Sequence, residues 1–427
     1  MDIQKPDTKK KRVVIVGGGF AGLTIVNKLD SKRFQVVLID RNNYHQFPPL
    51  LYQVASSGLE PGSICFPFRK LFHREKDFYF RMAEVKTVCP AENRIVTTIG
   101  QLHYDYLILA GGTTTNYFGN KILEENSLPM KDVREALALR SSLLLNMERA
   151  LDNVEDCQRR ALLNIVIVGG GATGVEIAGA LAEMRRFIVP KDYPDLKTPM
   201  DVYLVEGSGR LLGVMSERAS KNAKKDLEKM GVKVLLNTKV TDYRDGHVVF
   251  DNRDSLITDN LIWVSGVTAN RFEGITPEQT GRGGRILVDA YNRVQGAENI
   301  FAVGDLCLLQ EPAYPNGHPQ VAQAAIQQGS RLAKNLNRIA KNRPLKPFHY
   351  KDLGTMATIG RNKAVADLHG LRLHGFFAWA MWLTIHLRSI LGVRNKVMVL
   401  LNWIWNYAVY DQSNRFIFYR PERKKHD

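Results

Sequence analysis

The sequence has 427 residues, 44% hydrophobic and 24% charged, which is ordinary globular composition and enough chain for two or three domains. A formal net charge of +16 asks for an acidic partner, with nucleic acid and anionic membrane the two generic candidates. Four scattered cysteines, Cys65, Cys89, Cys157 and Cys307, argue against a disulfide framework, a zinc site and a neighbouring redox pair.

Met1 to Arg12 is polar, carries Lys9-Lys10-Lys11-Arg12 and lacks the apolar stretch of a secretory signal, so a cytoplasmic chain is expected. Arg12–Gly22 (RVVIVGGGFAG) is a β-branched run, a glycine turn and a helical pattern, which is how a βαβ unit opens. Gly17, Gly19 and Gly22 have the G-x-G-x-x-G spacing, which allows a tight turn, close approach to a pyrophosphate and close helix packing. Asp40 closes the next strand, VVLID, at the distance suited to the adenosine ribose hydroxyls. Tyr106–Gly112 reads as a buried strand ending in glycine, and Val133–Asn153 as a helix.

Asn164–Gly174 (NIVIVGGGATG) repeats the grammar with Gly169, Gly171 and Gly174. Its acid, Glu206, ends DVYLVE after a longer interval, the surplus falling in Phe187–Pro199, expected to be an extended loop. Glu206 is followed by Gly207 and Ser208; a carboxylate there binds a free 2′-hydroxyl and repels a 2′-phosphate, favouring NADH, although Arg210 is near. Asn299–Asp305 (NIFAVGD) is another strand ending in glycine. The expected class is α/β, with two Rossmann-like dinucleotide-binding domains, the first interrupted by the second and resuming near Gly281–Asp289.

Residues 348–427 hold four of the five tryptophans and read as a separate module. Phe376–Ile385 and Val397–Val409 are apolar but too short to span a bilayer. Asn395, Asn402 and Asn406 form one polar stripe, and the remaining arc carries Val, Met, Leu, Ile and two Trp. His386, Arg388, Arg394 and Lys396 flank the join, and Arg415, Arg420, Arg423, Lys424 and Lys425 follow. Amphipathic helices with Trp and neighbouring basic residues describe an element lying in an anionic membrane interface. Nucleic acid fits poorly, because no recognised binding module accompanies the charge.

The two glycine motifs, AVGD at 302–305, NNYHQFPPLLYQVA at 42–55, AQAAIQQG at 322–329 and the segment 391–410 together resemble the type II NADH:quinone oxidoreductases. These are single-subunit, non-pumping, FAD-dependent respiratory dehydrogenases. The resemblance implies non-covalent FAD at Gly17, Gly19, Phe20, Ala21, Gly22, Asp40, Arg41, Val85, Ala110, Gly111, Thr113, Gly304, Asp305, Ala322 and Gln323. It implies NADH at Gly169, Gly171, Thr173, Gly174, Glu206 and Gly266. Glu176 matches a glutamate facing nicotinamide and flavin, and Gln323 and Gln327 match the A-Q-x-x-x-Q stretch beside the flavin that lines the quinone site; these three are the catalytic candidates. No metal is expected, and His45 and His318 are given no role.

The resemblance further implies two-electron transfer from NADH through FAD to ubiquinone or menaquinone, at the cytoplasmic face of the inner membrane, in a chain compatible with a homodimer. The expected domains are FAD-binding 1–125 and 281–345, NADH-binding 126–280 and membrane-associating 346–427. Two rivals share the fold. A sulfide:quinone oxidoreductase needs cysteines at the flavin, for which Cys157 and Cys307 are the sole conceivable pair. A flavoprotein resembling apoptosis-inducing factor would bind NADH with slow turnover.

Overall fold

The computed structural model of the protein describes residues 2, 3, 6 and 8–417, which form two compact units. One comprises Met1–His45, Phe66–Thr114 and Val267–Leu353; the other comprises Gln46–Cys65, Thr115–Gly266 and Gly354–Asp427. Arg420, Arg423, Lys424 and Lys425, counted above toward a basic tail, lie outside the described residues.

The first unit is built on five parallel strands in the order Ile300–Ala302, Tyr106–Leu109, Lys11–Val16, Phe34–Asp40, Phe78–Met82. Val13, Val14, Ile15 and Val16 are all buried, because a central parallel strand is covered on both faces and alternation is lost. Val16 pairs with Ile39 on one side and Leu109 on the other, so Gly17, Asp40 and Ala110 emerge at one end of the sheet. Strand order reverses there, which is where open α/β sheets bind ligands. A three-stranded antiparallel sheet, Val85–Cys89, Arg94–Thr97 and Gly100–His103, covers part of the core.

The second unit repeats this plan. Its parallel strands run Leu128–Pro129, Asn260–Trp263, Ile165–Val168, Val202–Val205, Lys233–Leu235, with the glycine-loop strand again central. Val168 pairs with Val205 and Trp263, which brings the Gly169, Glu206 and Gly266 turns to one end. Gly17 (φ 104°) and Gly169 (φ 118°) take backbone that side-chain-bearing residues avoid. A Cβ on Gly22 or Gly174 would run into the carbonyl oxygen of Gly17 or Gly169, which is the close helix packing the third glycine allows.

The helix expected at Val133–Asn153 is observed at Val133–Ala150, capped by Asp132, whose Oδ1 accepts the Glu135 N–H at 2.9 Å. The Phe187–Pro199 loop is shorter than expected. The post-glycine helix continues through Phe187, and Pro190 opens a further turn, Val189–Asp192, where a missing N–H costs nothing.

In the same unit, strands Thr355–Gly360, Lys363–Leu368 and Leu371–His374 form an antiparallel sheet, followed by helices Phe376–Ser389 and Val393–Val409. No helix of the described residues is long and apolar enough to cross a membrane. The asparagine stripe faces inward. Asn395 Nδ2 donates to Cys65 O at 3.0 Å and Asn406 Nδ2 to Gly58 O at 3.0 Å, while Asn402 back-bonds to Met398 O. Phe376, Phe377, Val393, Val397, Leu401, Ile404 and Trp405 are exposed instead. Arg415 is engaged by Asp192 and Asp411 at 2.5 and 2.7 Å.

Candidate functional site

At the first glycine loop, Gly19 opens the helix Phe20–Val26 with no side-chain cap, and a Cβ there would meet open space. The Asp40 carboxylate accepts the Gly18 and Asn42 N–H groups, each at 2.7 Å. Burial raises its pKa, against those two bonds and the Arg41 charge. A Cβ on Gly17 would strike the carbonyl of Ala110, and Gly304 (φ 73°) lies 3.6 Å, by its would-be Cβ, from Ala21. Thr113 Oγ1 is buried without a partner. An uncapped helix start, an acid held at the sheet end and an orphaned hydroxyl fit a dinucleotide laid across this edge. Gly111 O accepts from Asn270 at 2.7 Å, Gln320 holds the Asp305 carbonyl at 2.9 Å, Val85 is buried in the core with Val16 and Ile39, Arg41 is exposed, and Ala322 begins an uncapped helix, Ala322–Ile339.

His45, to which no role is given above, is buried beside this loop. Its Nδ1 lies 3.0 Å from Gly18 O, and its ring meets Phe20 edge-on at 5.3 Å. Burial lowers its pKa to about 4, so the ring is neutral at pH 7 and donates from Nδ1 to that carbonyl.

At the second loop, Gly171 opens Ala172–Phe187, again uncapped and facing open space, with Thr173 exposed in its first turn. Half-exposed Glu206 accepts Gly170 N–H at 2.6 Å and Ser208 N–H at 2.8 Å, which aims the carboxylate at the loop. Arg210 donates to Gly213 O at 2.6 Å. Gly266 (φ 80°) is covered by the exposed ring of Phe118, itself at the positive φ that bulky residues rarely adopt.

The helix Ala172–Phe187 then runs on into a cavity of about 690 Å³. Its walls come from four places in the second unit: Tyr52 to Gly58, this helix, Thr358 to Arg361, and the two C-terminal helices with Tyr410 to Gln412. A Cβ on Gly179 would run into the Ile359 carbonyl, so glycine is what seats the helix on the strand. Two turns of the helix then present two carboxyl groups. Glu176 Oε1 receives the Thr358 N–H at 3.4 Å, and Glu183 Oε1 receives the Arg361 N–H at 2.6 Å.

Burial raises the Glu176 pKa to about 8, with the Thr358 N–H and the Trp382 indole pulling part of that back. Glu183 is raised too, by burial, against the Arg361 N–H and the charges of Arg361 and Lys363. Burial moves both toward the neutral carboxylic acid, Glu176 as far as about pH 8. Tyr52 is raised well above 10, by burial first and then by these carboxylates, and its hydroxyl oxygen accepts Gln53 Nε2 at 2.7 Å. Trp403 Nε1 fixes that amide from the other end at 2.8 Å. Arg361 donates to the last carbonyls of the final helix, Asn406 and Tyr407, and lies 3.3 Å above the Tyr410 ring. It pins the cavity's C-terminal wall.

The amides of Gln323 and Gln327 are engaged with backbone of their own unit. Gln327 donates to Lys351 O at 2.8 Å and accepts Lys351 N–H at 3.0 Å, and Gln323 accepts Leu353 N–H at 2.9 Å. The adjacent Gln328 holds Gly304 N–H at 2.7 Å. Cys307 is buried, donates to Gln328 at 3.3 Å and has its pKa pushed to about 11 by burial, whereas Cys157 is exposed. No cluster of metal ligands occurs among the described residues.

Known proteins match this chain along nearly its whole length. The pyridine nucleotide-disulphide oxidoreductase family model matches residues 11–329, and the NDH2 C-terminal domain model matches residues 353–409. The type II NADH:quinone oxidoreductase Ndh of Mycobacterium tuberculosis is 33% identical over 92% of this chain and 88% of its own. NdhA of the same organism is 34% identical over 92% and 86%. The structure of NDH2 from Plasmodium falciparum in complex with NADH shares the fold at a TM-score of 0.88 and 23% identity, covering 96% of this chain and all of that one.

Proposed function

The chain belongs to the type II NADH:quinone oxidoreductases, and we propose that its two glycine loops divide the cofactors between them while the cavity receives the quinone. It is a respiratory NADH dehydrogenase that uses FAD and does not pump protons. FAD, when bound, would supply the two-electron chemistry that links NADH to the quinone. The first loop, with Asp40 and Thr113, would hold FAD; the second, with Gly171, Glu206 and Gly266, would hold NADH. Functionally the chain divides into FAD-binding 1–125 and 281–345, NADH-binding 126–280 and membrane-associating 346–427.

The overall reaction, NADH + quinone + H⁺ → NAD⁺ + quinol, requires one proton beyond the hydride. Glu176, buried in the cavity wall and protonated near neutral pH, supplies it. That placement carries the proposal: an aromatic cavity of the size that takes drug-sized ligands, with a neutral acid on the helix that begins at the NADH loop. Gln323 and Gln327 hold the backbone at 351–353 of the first unit, and their match to the A-Q-x-x-x-Q stretch supports a part in the quinone half-reaction.

The exposed apolar arc of the last two helices docks on an anionic membrane at the cytoplasmic face, where the quinone resides, in a chain compatible with a homodimer. A sulfide-oxidising reading is disfavoured by Cys307, whose thiol is held protonated at neutral pH. The test is anaerobic stopped-flow: NADH should bleach the flavin and menaquinone restore it, with Glu176→Gln slowing the second step. Bleaching by sulfide, or loss of the first step alone in Glu176→Gln, would overturn the assignment.

A further inference from the structure

Trp382 is 1% exposed and the largest fully buried side chain of the described residues. Its ring is fixed from three sides. It stacks on His386 at 3.9 Å and 21°, meets Tyr52 edge-on at 6.3 Å and lies 6.0 Å from Trp403. Burial lowers the His386 pKa to about 4, leaving a neutral ring whose Nδ1 lies 2.7 Å from Trp382 O. The indole therefore has one orientation. Trp382 lines the cavity together with Glu176; its buried Nε1–H lies near enough to that carboxyl to lower the acid's pKa, yet meets no acceptor in hydrogen-bond geometry. A buried donor without an acceptor is destabilising, and phenylalanine would fill most of the space without that cost. The Glu176 carboxyl leaves the N–H without a well-formed bond, and an acceptor arriving in the cavity can complete one.

Resting on the reading of this cavity as the quinone site, we propose that Trp382 Nε1–H donates a hydrogen bond to a carbonyl oxygen of the bound quinone and so orients its ring. A quinone carbonyl offers only acceptor lone pairs, which an indole can meet because it donates and never accepts. The bond strengthens as electrons enter and negative charge gathers on that oxygen. Three other donors of the wall are committed elsewhere: the Trp403 N–H to Gln53, Gln53 Nε2 to Tyr52, and Arg361 to the final helix.

The test compares two ligands of similar shape, menadione and 2-methylnaphthalene, which lacks the carbonyls. Their dissociation constants are measured on the intact, FAD-loaded enzyme, wild type and Trp382→Phe. The preference for menadione should fall about threefold to tenfold in the variant, while the hydrocarbon binds as before. Replacement of Trp382 by 3-benzothienylalanine, which keeps the bicyclic shape and removes the N–H, should do the same if phenylalanine loosens the wall. An unchanged menadione preference in the benzothienyl protein would overturn the proposal while leaving the cavity assignment intact. Failure of the wild type to bind or reduce menadione would overturn both.

Discussion

The two glycine loops are the same device put to different use. Each follows the central strand of a five-stranded parallel sheet, each starts an uncapped helix and each has an acid bonded to the amide of its middle glycine. The helices then diverge. Phe20–Val26 ends after 7 residues, and its acid is buried enough to have its pKa raised. Ala172–Phe187 runs for 16 residues and carries Glu176 and Glu183 into a cavity. A short helix suits a cofactor that stays; a longer helix reaching a cavity suits a nucleotide that comes and goes beside a second substrate. The extra two turns are where a general binding fold acquires its particular chemistry.

The largest effect should come from the seat of the longer helix. Gly179→Ala drives a methyl into the Ile359 carbonyl, which a backbone atom cannot evade, and should cost about 3 kcal/mol or more in thermal unfolding. Gly329→Ala, whose Cβ would lie 2.7 Å from Ala21 O in the first unit, should cost less. Equal losses would show that the two helices are seated alike.

The acids separate the loops next. Asp40→Asn should lower flavin content of the purified protein, whereas Glu206→Gln should keep its flavin and lose about tenfold or more in kcat/KM for NADH, with relaxed exclusion of NADPH. Flavin loss in Glu206→Gln would undo the division of labour.

Glu176 sets a pH dependence. With its pKa moved from 4.5 to about 8, the folded chain holds a proton that the unfolded chain has released, so this group's stability contribution declines as pH rises across that window. Tyr52, Glu183 and Arg361 face the same space, and burial raises both Tyr52 and Glu183. Glu176→Gln should flatten the decline in Tm and remove the alkaline limb of quinone turnover near pH 8. A wild-type Tm rising between pH 5 and 8 would contradict the protonated assignment.

The smallest expected effect is at Gln327. Both of its amide bonds go to Lys351, so Gln327→Ala should cost about 1 kcal/mol in unfolding and lower quinone turnover about threefold to tenfold. A fall in the rate of flavin reduction by NADH would move the residue out of the quinone half-reaction.

Features fixed by local spacing were legible in the sequence. The glycine turns, Asp40, Glu206 and the early position of Glu176 follow from strand, turn and helix periods over a few dozen residues. The cavity was not legible, since Tyr52, Trp382 and Arg361 meet Glu176 from segments far apart in the chain. Periodicity found the asparagine stripe but not its direction: inward asparagines meet the carbonyls of Gly58 and Cys65, which no pattern on the helix itself announces. His45 read as a loop histidine because its partner, Gly18 O, belongs to a turn already assigned to phosphate.

The most direct test of the account is photolabelling of the FAD-loaded enzyme with an azidoquinone, followed by peptide mapping. The account predicts adducts in 172–188 and 376–412, suppressed by excess menaquinone and retained when NADH is added. Adducts confined to residues outside the second unit, or adducts there that menaquinone does not suppress, would contradict it.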